Sequence, residues 1–470
     1  MSFERILTLQ QILASENNFI AKNSEKILIE YAGNKIGKYL YKHFRGKNFL
    51  FICGHGNNGM DGKIASNFLK KKKQVSKIYE VKTHKSFKYL ESYLKEFDII
   101  VDSIFGSGLN RELRKIFKKI VDLINDSEKK VISLDIPSGI ECDTGKILGN
   151  VVNADITLCM GFFKPAHFLL PGKKYCGKKK LMRLDLKAPK RSFPKIYLNS
   201  SKIFNYLPKF DIDVNKYDKG HVLVIGGEMA GASRMVAIAA RKIGCGLSTI
   251  GILEKHLKFY NRLETGTIIQ TLDKNLFEKK DVLVIGPGLG KTFEKNLILN
   301  LIKKFKGPIV VDADAISIFK NNKRLIYDIL VKKKDIVLTP HEVEFSRLFK
   351  YTCQSKIQES LNATKLIRNT ILFKGNDTVI SFKNQNIWIN DNATNSLATA
   401  GTGDILCGLI SGLLAQNMNF KIAILAAVFI QGELSQIENN LTAEDFLRSI
   451  PKIFLRLKNN NWFTLNNVVL

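Results

Sequence analysis

The feature that most constrains this chain is a repeated pattern in which a short apolar run ends in a stretch rich in glycine and polar residues. In the first half, residues 48–53, 97–102 and 130–135 are such runs. Apolar runs of this length between turn residues predict buried β-strands. Because the carboxyl ends of parallel strands meet at one edge of an open α/β sheet, the polar residues after them should share one site.

The second half of the chain repeats this pattern. Strands are predicted at residues 222–225, 281–285, 308–311, 335–338 and 370–373. Polar motifs follow them: Gly226-Gly227, Gly-Pro-Gly-Leu-Gly at 286–290, Asp-Ala-Asp-Ala at 312–315, Thr-Pro-His-Glu at 339–342 and Lys-Gly-Asn-Asp-Thr at 374–378. A mixed segment with three prolines, residues 187–217, separates the halves and predicts a connection. The chain should therefore fold as two α/β domains, residues 1–205 and 206–470.

The motif Gly401-Thr402-Gly403-Asp404 precedes an apolar segment, residues 406–415, that predicts a helix. The first N–H groups of a helix lack internal partners, so this turn predicts an anion-binding site. Asp404, at its mouth, could take a proton from a hydroxyl group as a phosphate meets it. The alternative is an ordinary turn in which Asp404 caps the helix.

Polar residues also follow the three predicted strands of the first half. Residues 54–62 read Gly-His-Gly-Asn-Asn-Gly-Met-Asp-Gly and predict a phosphate-binding loop before a helix at 63–72. The amide carbonyls of the paired asparagines could hold a cation. The residues expected to converge at this edge are Asn57, Asp102, Asp135 and Ser138. The alternative for each carboxylate alone is a loop cap.

The formal net charge of +30 raises the question of nucleic-acid binding. Lysines are spread over the whole chain, however, and no arginine-rich stripe with interleaved aromatic residues stands out. We therefore expect attraction for small anionic substrates and no specific nucleic-acid partner. The seven cysteines form no Cys-x-x-Cys pair, which argues against a zinc knuckle or a disulfide framework. Without a signal-peptide pattern or a long apolar run, a soluble cytoplasmic protein with no membrane partner is expected.

Several first-half motifs resemble the N-terminal domain of the NAD(P)H-hydrate epimerase family, over about residues 5–200. They are residues 54–62, 102–111, Asp-Ile-Pro-Ser-Gly at 135–139 and Asp-Thr-Gly at 143–145. The resemblance implies a Rossmann-like αβα sandwich that binds a damaged nicotinamide dinucleotide. It implies a potassium ion (K⁺) held by Asn57, Asp102 and Ser138, and Asp135 as the catalytic acid/base that interconverts the R and S hydrates at C6. The implied substrate-binding residues are Asn57, Asn58, Gly59, Gly106, Ser107, Gly108, Leu109, Asn110, Arg111 and Asp135.

Two further positions of the first half carry expectations. Met60 stands where the epimerase family usually has glycine, so its side chain is expected to crowd the phosphate loop. Lys164 lies in a Lys-Pro segment that resembles a later loop of the family, where a lysine could face the substrate, but an ordinary surface lysine is the expected role.

The second-half motifs, in their order, resemble the ribokinase-like superfamily. More narrowly, residues 210–458 resemble the ADP- or ATP-dependent NAD(P)H-hydrate dehydratase family. The resemblance implies a ribokinase-like αβα sandwich in which ADP, with Mg²⁺, phosphorylates the hydrate and Asp404 is the catalytic residue. Residues implied to contact the hydrated dinucleotide are Ala232, Gly288, His341 and Asp404. Residues implied to contact the nucleotide are Lys374, Gly375, Asn376, Asp377, Thr378 and Gly403. His341 considered alone is more typical of a cap or a solvated loop.

Together the two resemblances imply nicotinamide nucleotide repair by a homo-oligomeric enzyme. The first domain would epimerise the hydrates NADHX and NADPHX, and the second would dehydrate the S form with ADP, giving AMP and phosphate. One alternative is a ribokinase-like small-molecule kinase with a catalytically inactive dinucleotide-binding N-terminal domain. Another is a basic protein that binds RNA or a protein partner and whose first domain has lost activity.

Overall fold

The computed structural model describes residues 3–81, 87–190, 194–260, 266–437, 441–458 and 468–469. The contacts divide these residues into two compact units. The first unit comprises residues 5–195 and the terminal strand Val468–Val469, and the second comprises the other described residues. The second unit resumes at Ile196, before the expected boundary after residue 205, and Ile203 and Phe204 are buried in its core.

The first unit is built from alternating strands and helices. Its strands are β1 (Arg5–Ile6), β2 (Phe49–Cys53), β3 (Ser76–Glu80), β4 (Ile99–Ser103), β5 (Lys130–Leu134), β6 (Ile156–Met160) and β7 (Lys178–Met182). Its helices are α1 (Leu9–Ile20), α2 (Glu25–His43), α3 (Asn57–Lys71), α4 (Phe87–Glu96) and α5 (Lys115–Asp126), with short 3₁₀ turns at Pro165–His167 and Gly172–Tyr175.

The main sheet of the first unit is parallel and covered on both faces. Its order is β7-β6-β5-β4-β2-β3, with the terminal strand beside β7. Side chains alternate between the two faces of a strand. In β2, Leu50 and Ile52 pack with α4 and α5, whereas Phe49 and Phe51 pack with α2 and α3. This confirms the αβα sandwich expected for the first domain.

The second unit has the same alternation over a longer sequence. Its strands are β8 (Lys195–Leu198), β9 (His221–Ile225), β10 (Leu247–Ile252), β11 (Ile268–Thr271), β12 (Val282–Ile285), β13 (Ile309–Val311), β14 (Ile336–Leu338), β15 (Thr370–Phe373), β16 (Val379–Ser381) and β17 (Asn386–Ile389). Its helices are α6 (Ala230–Lys242), α7 (Lys295–Lys304), α8 (Asp314–Ser317), α9 (Lys323–Leu330), α10 (Glu342–Leu348), α11 (Lys356–Ile367), α12 (Thr402–Ala415), α13 (Phe420–Ser435) and α14 (Ala443–Lys458).

The sheet of the second unit runs in the order β8-β17-β16-β15-β14-β13-β12-β9-β10-β11. It is parallel from β11 to β15, and β15, β16 and β17 pair antiparallel, so Trp388 lies in a hairpin as predicted. Val222 and Val224 face the layer of α6, α12 and α13, while Leu223 and Ile225 face the layer of α7 to α11. The second αβα sandwich is thereby confirmed.

Two predicted loops are in fact the first turns of helices. Helix α3 begins at Asn57, not at residue 63, so the loop after β2 is short and the paired asparagines lie in a helical turn. Helix α12 begins at Thr402, directly after Gly401, whose φ of +90° suits glycine. Both helices therefore point free N–H groups at the carboxyl edge of their sheet.

Most of the cysteines are buried, and the described helices are not of the membrane-spanning type. All seven cysteines are free, and six of them are buried. None of the helices in the described part of the chain combines the length and the apolar character needed to cross a bilayer.

Candidate active sites

A cavity of about 670 Å³ lies at the carboxyl edge of the first unit's sheet. Residues after three neighbouring strands form its floor: Gly54 after β2, Phe105 after β4 and Asp135 after β5. Side chains of α1 and α2 form another wall. The order of the sheet places β2 between β3 and β4, where the direction of the connections reverses, and ligands of open α/β sheets bind at such a point.

Asp135 is the most constrained residue of this cavity. Its φ is +66°, a left-handed conformation that is uncommon outside glycine. Its Oδ2 accepts a hydrogen bond from the backbone N–H of Ser107 (2.9 Å), and its Oδ1 forms an ion pair with Lys164. The Lys164 ammonium also donates to the carbonyl oxygen of Met160 (2.6 Å). Lys164 is only 1% exposed, so the expectation of a surface lysine is wrong.

The ion pair decides the charge of both groups. Burial by itself raises the pKa of Asp135, but the adjacent Lys164 ammonium outweighs burial and holds that pKa below its usual value. Burial likewise lowers the pKa of Lys164, and the Asp135 carboxylate outweighs it and raises that pKa. Both side chains are therefore ionised at neutral pH.

His167 holds the backbone of Asp135. Its Nδ1 accepts a hydrogen bond from the backbone N–H of Lys164 (3.0 Å), so Nε2 carries the proton and donates to the Asp135 carbonyl oxygen (2.8 Å). Burial and the nearby Lys164 lower the pKa of His167 to about 3, so the ring is neutral. Sequence reasoning missed Lys164 and His167. The available signal was a lone lysine between Phe163 and Pro165, since a charge in an apolar segment needs a partner.

Most of the predicted substrate-binding residues line this cavity. They are Asn57, Asn58, Gly106, Ser107, Gly108, Leu109, Arg111 and Asp135. Gly59 instead packs against Gly54, where an added Cβ would collide with the carbonyl oxygen, and Asn110 is exposed. Met60 is 43% exposed on α3 and its side chain does not line the cavity, so the expected crowding is wrong.

The three predicted potassium ligands do not all meet. Asp102 and Ser138 do: the Asp102 carboxylate accepts hydrogen bonds from Ser138 Oγ (2.6 Å), Ser138 N–H (2.9 Å) and Ser133 Oγ (2.8 Å). Burial still raises the pKa of Asp102 despite these donors. Asn57 is directed elsewhere, because its Nδ2 donates to Glu25 Oε1 (3.2 Å).

Asn58, the neighbouring asparagine, has an amide that suits a cation better. Its Nδ2 donates to the Phe105 carbonyl oxygen (2.9 Å), which is also 3.3 Å from Ser138 Oγ. Its Oδ1 is buried without a hydrogen-bond partner. A buried amide oxygen without a donor is the type of ligand that a hard cation satisfies.

In the second unit, Asp404 lies in the first turn of α12 within a cluster of charged side chains. Asp312 follows β13, Lys374 follows β15, and Glu344 lies on α10. The Lys374 ammonium donates to Asp312 Oδ1 (2.7 Å) and lies 3.6 Å from Glu344 Oε2. These groups stand at the carboxyl edge of adjacent parallel strands, as the motif order predicts.

The environment of Asp404 shifts its protonation into the neutral range. Burial raises the pKa most, the negative charge of Asp312 raises it further, and Lys374 partly opposes both, which leaves a pKa of about 7. A carboxyl group of this pKa is suited to general-base catalysis near neutral pH. Asp404 is not the N-cap residue of α12, because Gly401 occupies that position and Asp404 is the third residue of the helix.

The residues predicted to bind the nucleotide lie on both sides of this cluster. A Cβ built on Gly403 would lie 3.5 Å from Lys374 Nζ, so these two residues adjoin. Gly375, Asn376, Asp377 and Thr378 continue the chain from Lys374 into the turn before β16. Asp377 pairs with Lys356 (2.5 Å), and Thr378 Oγ1 donates to the Gly375 carbonyl oxygen (2.6 Å), so these two side chains shape the turn.

The residues predicted to bind the hydrated dinucleotide also fall at strand ends. Gly288 (φ +68°) packs against Ala232, whose Cβ would lie 2.9 Å from an added Cβ. They meet beside β9 and β12, where the connections of this sheet reverse. His341 is the N-cap of α10: its Nδ1 accepts from the Val343 N–H (3.1 Å), while its Nε2 lies 3.3 Å from Glu344 Oε1.

Three residues of this cluster were not among the predicted site residues: Asp312, Glu344 and Cys407, whose Sγ donates to Asp312 Oδ2 (3.4 Å). Asp312 and Glu344 belong to motifs that the sequence does display, but nothing in the pattern shows that they share a lysine. Within the described ranges, no three histidine, cysteine, aspartate or glutamate side chains are grouped as a metal site.

Known proteins resemble both units. The family described as YjeF-related protein N-terminus matches residues 67–166, and the family described as NAD(P)H-hydrate dehydratase matches residues 222–451. The bifunctional NAD(P)H-hydrate repair enzyme Nnr of Coxiella burnetii is 32% identical, covering 87% of this chain and 89% of its own length. That of Dictyoglomus turgidum is 30% identical, covering 90% and 93%. An ADP/ATP-dependent NAD(P)H-hydrate dehydratase from Bacillus subtilis, co-crystallised with ATP and Mg²⁺, is 24% identical with a TM-score of 0.48, covering 55% of this chain and 98% of that chain.

Two αβα units, each with ionised side chains at the carboxyl edge of a parallel sheet, define a two-domain α/β enzyme. The chain belongs to the family of bifunctional NAD(P)H-hydrate repair enzymes.

Replacing Lys164 with methionine should destabilise the first unit strongly. The Asp135 carboxylate would stay buried without its ion-pair partner, and breaking such a pair costs about 3–5 kcal/mol. Urea unfolding at about pH 7 measures the loss. Lys146→Met, which removes an exposed lysine of the same unit, should change the unfolding free energy by less than about 0.5 kcal/mol. Equal effects of the two variants would contradict the buried pair.

Replacing Asp404 with asparagine should stabilise the second unit in a pH-dependent way. With a pKa of about 7 when folded against 3.8 as the reference, Asp404 binds more protons in the folded state between these pH values. The unfolding free energy of the wild type should therefore fall as pH rises from about 4 to about 7. Asp404→Asn should raise the free energy of unfolding by up to about 4 kcal/mol at about pH 8 and by almost nothing below about pH 4.

Urea unfolding followed through the fluorescence of the buried Trp388 measures this dependence. Asp328→Asn, an exposed aspartate of the same unit, is the matched control and should show no comparable gain. A gain that is the same at about pH 4 and about pH 8 would show that Asp404 does not titrate as described.

Proposed function

We propose that this chain repairs hydrated nicotinamide dinucleotides. The first unit interconverts the R and S forms of NADHX and NADPHX, and the second dehydrates the S form at the expense of ADP, giving NAD(P)H, AMP and phosphate. The observation that carries the proposal is the placement of Asp404. Its carboxyl group, with a pKa of about 7, stands at the amino end of α12 beside Lys374, where a hydroxyl group and a phosphate can meet.

In the second unit, the dehydration proceeds through a phosphate ester. Asp404 accepts the proton of the C6 hydroxyl group while the oxygen attacks the terminal phosphorus of ADP. The bond from that phosphorus to the bridging oxygen breaks, and AMP leaves with the electron pair. The lone pair of the ring nitrogen then expels phosphate from C6, and loss of a proton from C5 to the departing phosphate restores the dihydropyridine ring. Phosphate leaves far more readily than hydroxide.

In the first unit, Asp135 acts as the proton carrier of the epimerisation. The carboxylate takes the proton of the C6 hydroxyl group and delivers it to the ring nitrogen as the bond between C6 and nitrogen opens. The resulting aldehyde turns its other face to the nitrogen, and the steps reverse. Lys164 keeps Asp135 ionised between turnovers, and Ser107 orients its second oxygen through the backbone N–H.

The two ions of the proposed reactions differ in their ligands: K⁺ binds protein oxygens, and Mg²⁺ binds mainly the phosphates of the nucleotide. K⁺ fits oxygen ligands from Asp102, Ser138 and Asn58, with Asn58 in place of the expected Asn57, because Asn58, unlike the exposed Asn57, has a buried oxygen without a donor. The ion would supply positive charge beside a buried carboxylate. Mg²⁺ should arrive with the nucleotide, since its usual ligands are substrate phosphates with one or two carboxylates. The homo-oligomeric state and the cytoplasmic location stay predictions.

The test is the absorbance at 340 nm of an equilibrated mixture of R and S NADHX with ADP or ATP, Mg²⁺ and K⁺. The wild type should recover all of the NADH in one fast phase. Asp135→Asn should recover only the S fraction quickly, and Asp404→Asn should lower the rate at least about 100-fold for both fractions.

The exposed aspartates supply matched controls, Asp126→Asn in the first unit and Asp328→Asn in the second, and both should behave as the wild type. Failure of the wild type to recover NADH with either nucleotide would overturn the proposal and favour a small-molecule kinase. A fast S phase followed by a slow drift in the wild type would overturn the epimerase part alone.

A further inference from the structure

Asp312 is a buried residue, and both oxygens of its carboxylate accept hydrogen bonds from residues of the candidate site. It is 2% exposed and follows β13 directly. Its Oδ1 accepts a hydrogen bond from Lys374 Nζ (2.7 Å), and its Oδ2 accepts one from Cys407 Sγ (3.4 Å). Cys407 lies one helical turn after Asp404 on α12, so Asp312 links this helix to the loop after β15.

The Lys374 ammonium lies in a position that is unfavourable for a positive charge. A Cβ built on Gly403 would lie 3.5 Å from its Nζ and 3.6 Å from Asp312 Oδ2, so the ammonium stands at the first turn of α12. The amino end of a helix carries a partial positive charge, and a cation there is unfavourable unless an anion accompanies it. Asp312 supplies that anion in direct contact, and Glu344 adds a second at 3.6 Å.

We propose that Asp312 is a positioning residue for the phosphoryl transfer: it holds the Lys374 ammonium beside Gly403, where the transferred phosphate must lie. The inference rests on the proposed function of the second unit. As the phosphoryl group passes from the bridging oxygen of the nucleotide to the C6 oxygen, negative charge develops on AMP and on the transferred group. Lys374, held in place before the reaction, stabilises that charge without having to reorganise.

A lysine needs such a partner more than an arginine would. Its ammonium sits on a flexible four-carbon chain and presents no fixed plane of donors, so it must be oriented by its surroundings. Asp312 orients it from the sheet side, and Glu344 connects it to His341, whose backbone N–H donates to Glu344 Oε2 (2.9 Å). The hydrate contact predicted at His341 and the phosphate contact predicted at Lys374 are therefore joined through one carboxylate.

The contact between Asp312 and Lys374 also leads to a prediction about the pH dependence of kcat. The charged or titratable groups facing Asp404 are Asp312, Asp314, Glu344, Lys374 and, on its own helix, Cys407. Removing the negative charge of Asp312 leaves the Lys374 charge less compensated. The acidic limb of the kcat profile, set by Asp404 near pH 7 in the wild type, should then move to lower pH. A residue that only fills space would not move this limb.

The experiment measures kcat and KM of Asp312→Asn with S-NADHX and ADP between about pH 5 and about pH 9. We expect kcat at about pH 8 to fall about 10- to 100-fold while KM for the hydrate stays within about threefold. The midpoint of the acidic limb should fall by about one pH unit. Wild-type kcat together with an unmoved midpoint would overturn the inference.

The matched control is Asp328→Asn. It removes the same charge from an exposed aspartate on α9 of the same unit. It should keep kcat within about threefold at about pH 8. An equal loss of kcat in both aspartate variants would overturn the inference, because the loss would then follow from charge alone.

A double-mutant cycle tests whether Asp312 acts through Lys374. In a Lys374→Met background, adding Asp312→Asn should lower kcat by no more than about threefold, and two independent losses that multiply would overturn the inference. If Asp312→Asn does not fold, Asp312→Glu keeps the charge but displaces the ammonium, so kcat should fall with the midpoint unmoved. Wild-type kcat in that variant would overturn the inference as well. An inactive wild type, in contrast, would mean that the proposed function itself fails.

Discussion

Both units depend on the same interaction, an ion pair between a buried aspartate and a lysine where a parallel strand ends. Taking a single charge out of water costs several kcal/mol, and a close partner of opposite sign offsets most of that cost. In the first unit the pair is Asp135 with Lys164, and in the second it is Asp312 with Lys374. Each buried aspartate has a lysine ammonium in direct contact, and the geometry around each site follows from that pairing.

The two pairs have opposite consequences for the proposed catalytic carboxylates. In the first unit the catalytic residue is itself a member of the pair, so the pKa of Asp135 is held low and the carboxylate is always available as a proton acceptor. In the second unit the lysine is committed to Asp312, and Asp404 shares it only at a distance. Burial and the charge of Asp312 then prevail and raise the pKa of Asp404 to about 7. The same kind of aspartate–lysine pair thus accompanies two proposed catalytic carboxyl groups of different pKa. The pKa is low where the catalytic aspartate itself contacts the lysine, and it is raised where a neighbouring aspartate does so.

The sequence predicted the structural features that depend on local residue patterns. The strands, their polar ends and the two α/β domains follow from apolar runs and glycine-containing turns, whereas the shared site of Gly403 and Lys374 was implied by the family resemblance. The sequence could not identify the partner of Lys164, because Asp135 is 29 residues away and the contact exists only once β5 and β6 are paired. The start of α3 at Asn57 was missed since four glycines in the nine residues 54–62 indicate a loop, although glycine is tolerated where a helix begins close to another backbone segment.

That early start of α3 also explains why Asn57 and Asn58 differ. Successive residues of a helix point about 100° apart, so the amides of two adjacent asparagines in a helical turn are directed to different partners. Asn57 turns toward Glu25 on α2, and Asn58 turns inward to Phe105 beside Ser138. In an irregular loop both amides could have converged on one cation. The helical geometry instead directs only one of them inward, which is the physical reason that the proposed cation is placed beside Asn58 and not beside Asn57.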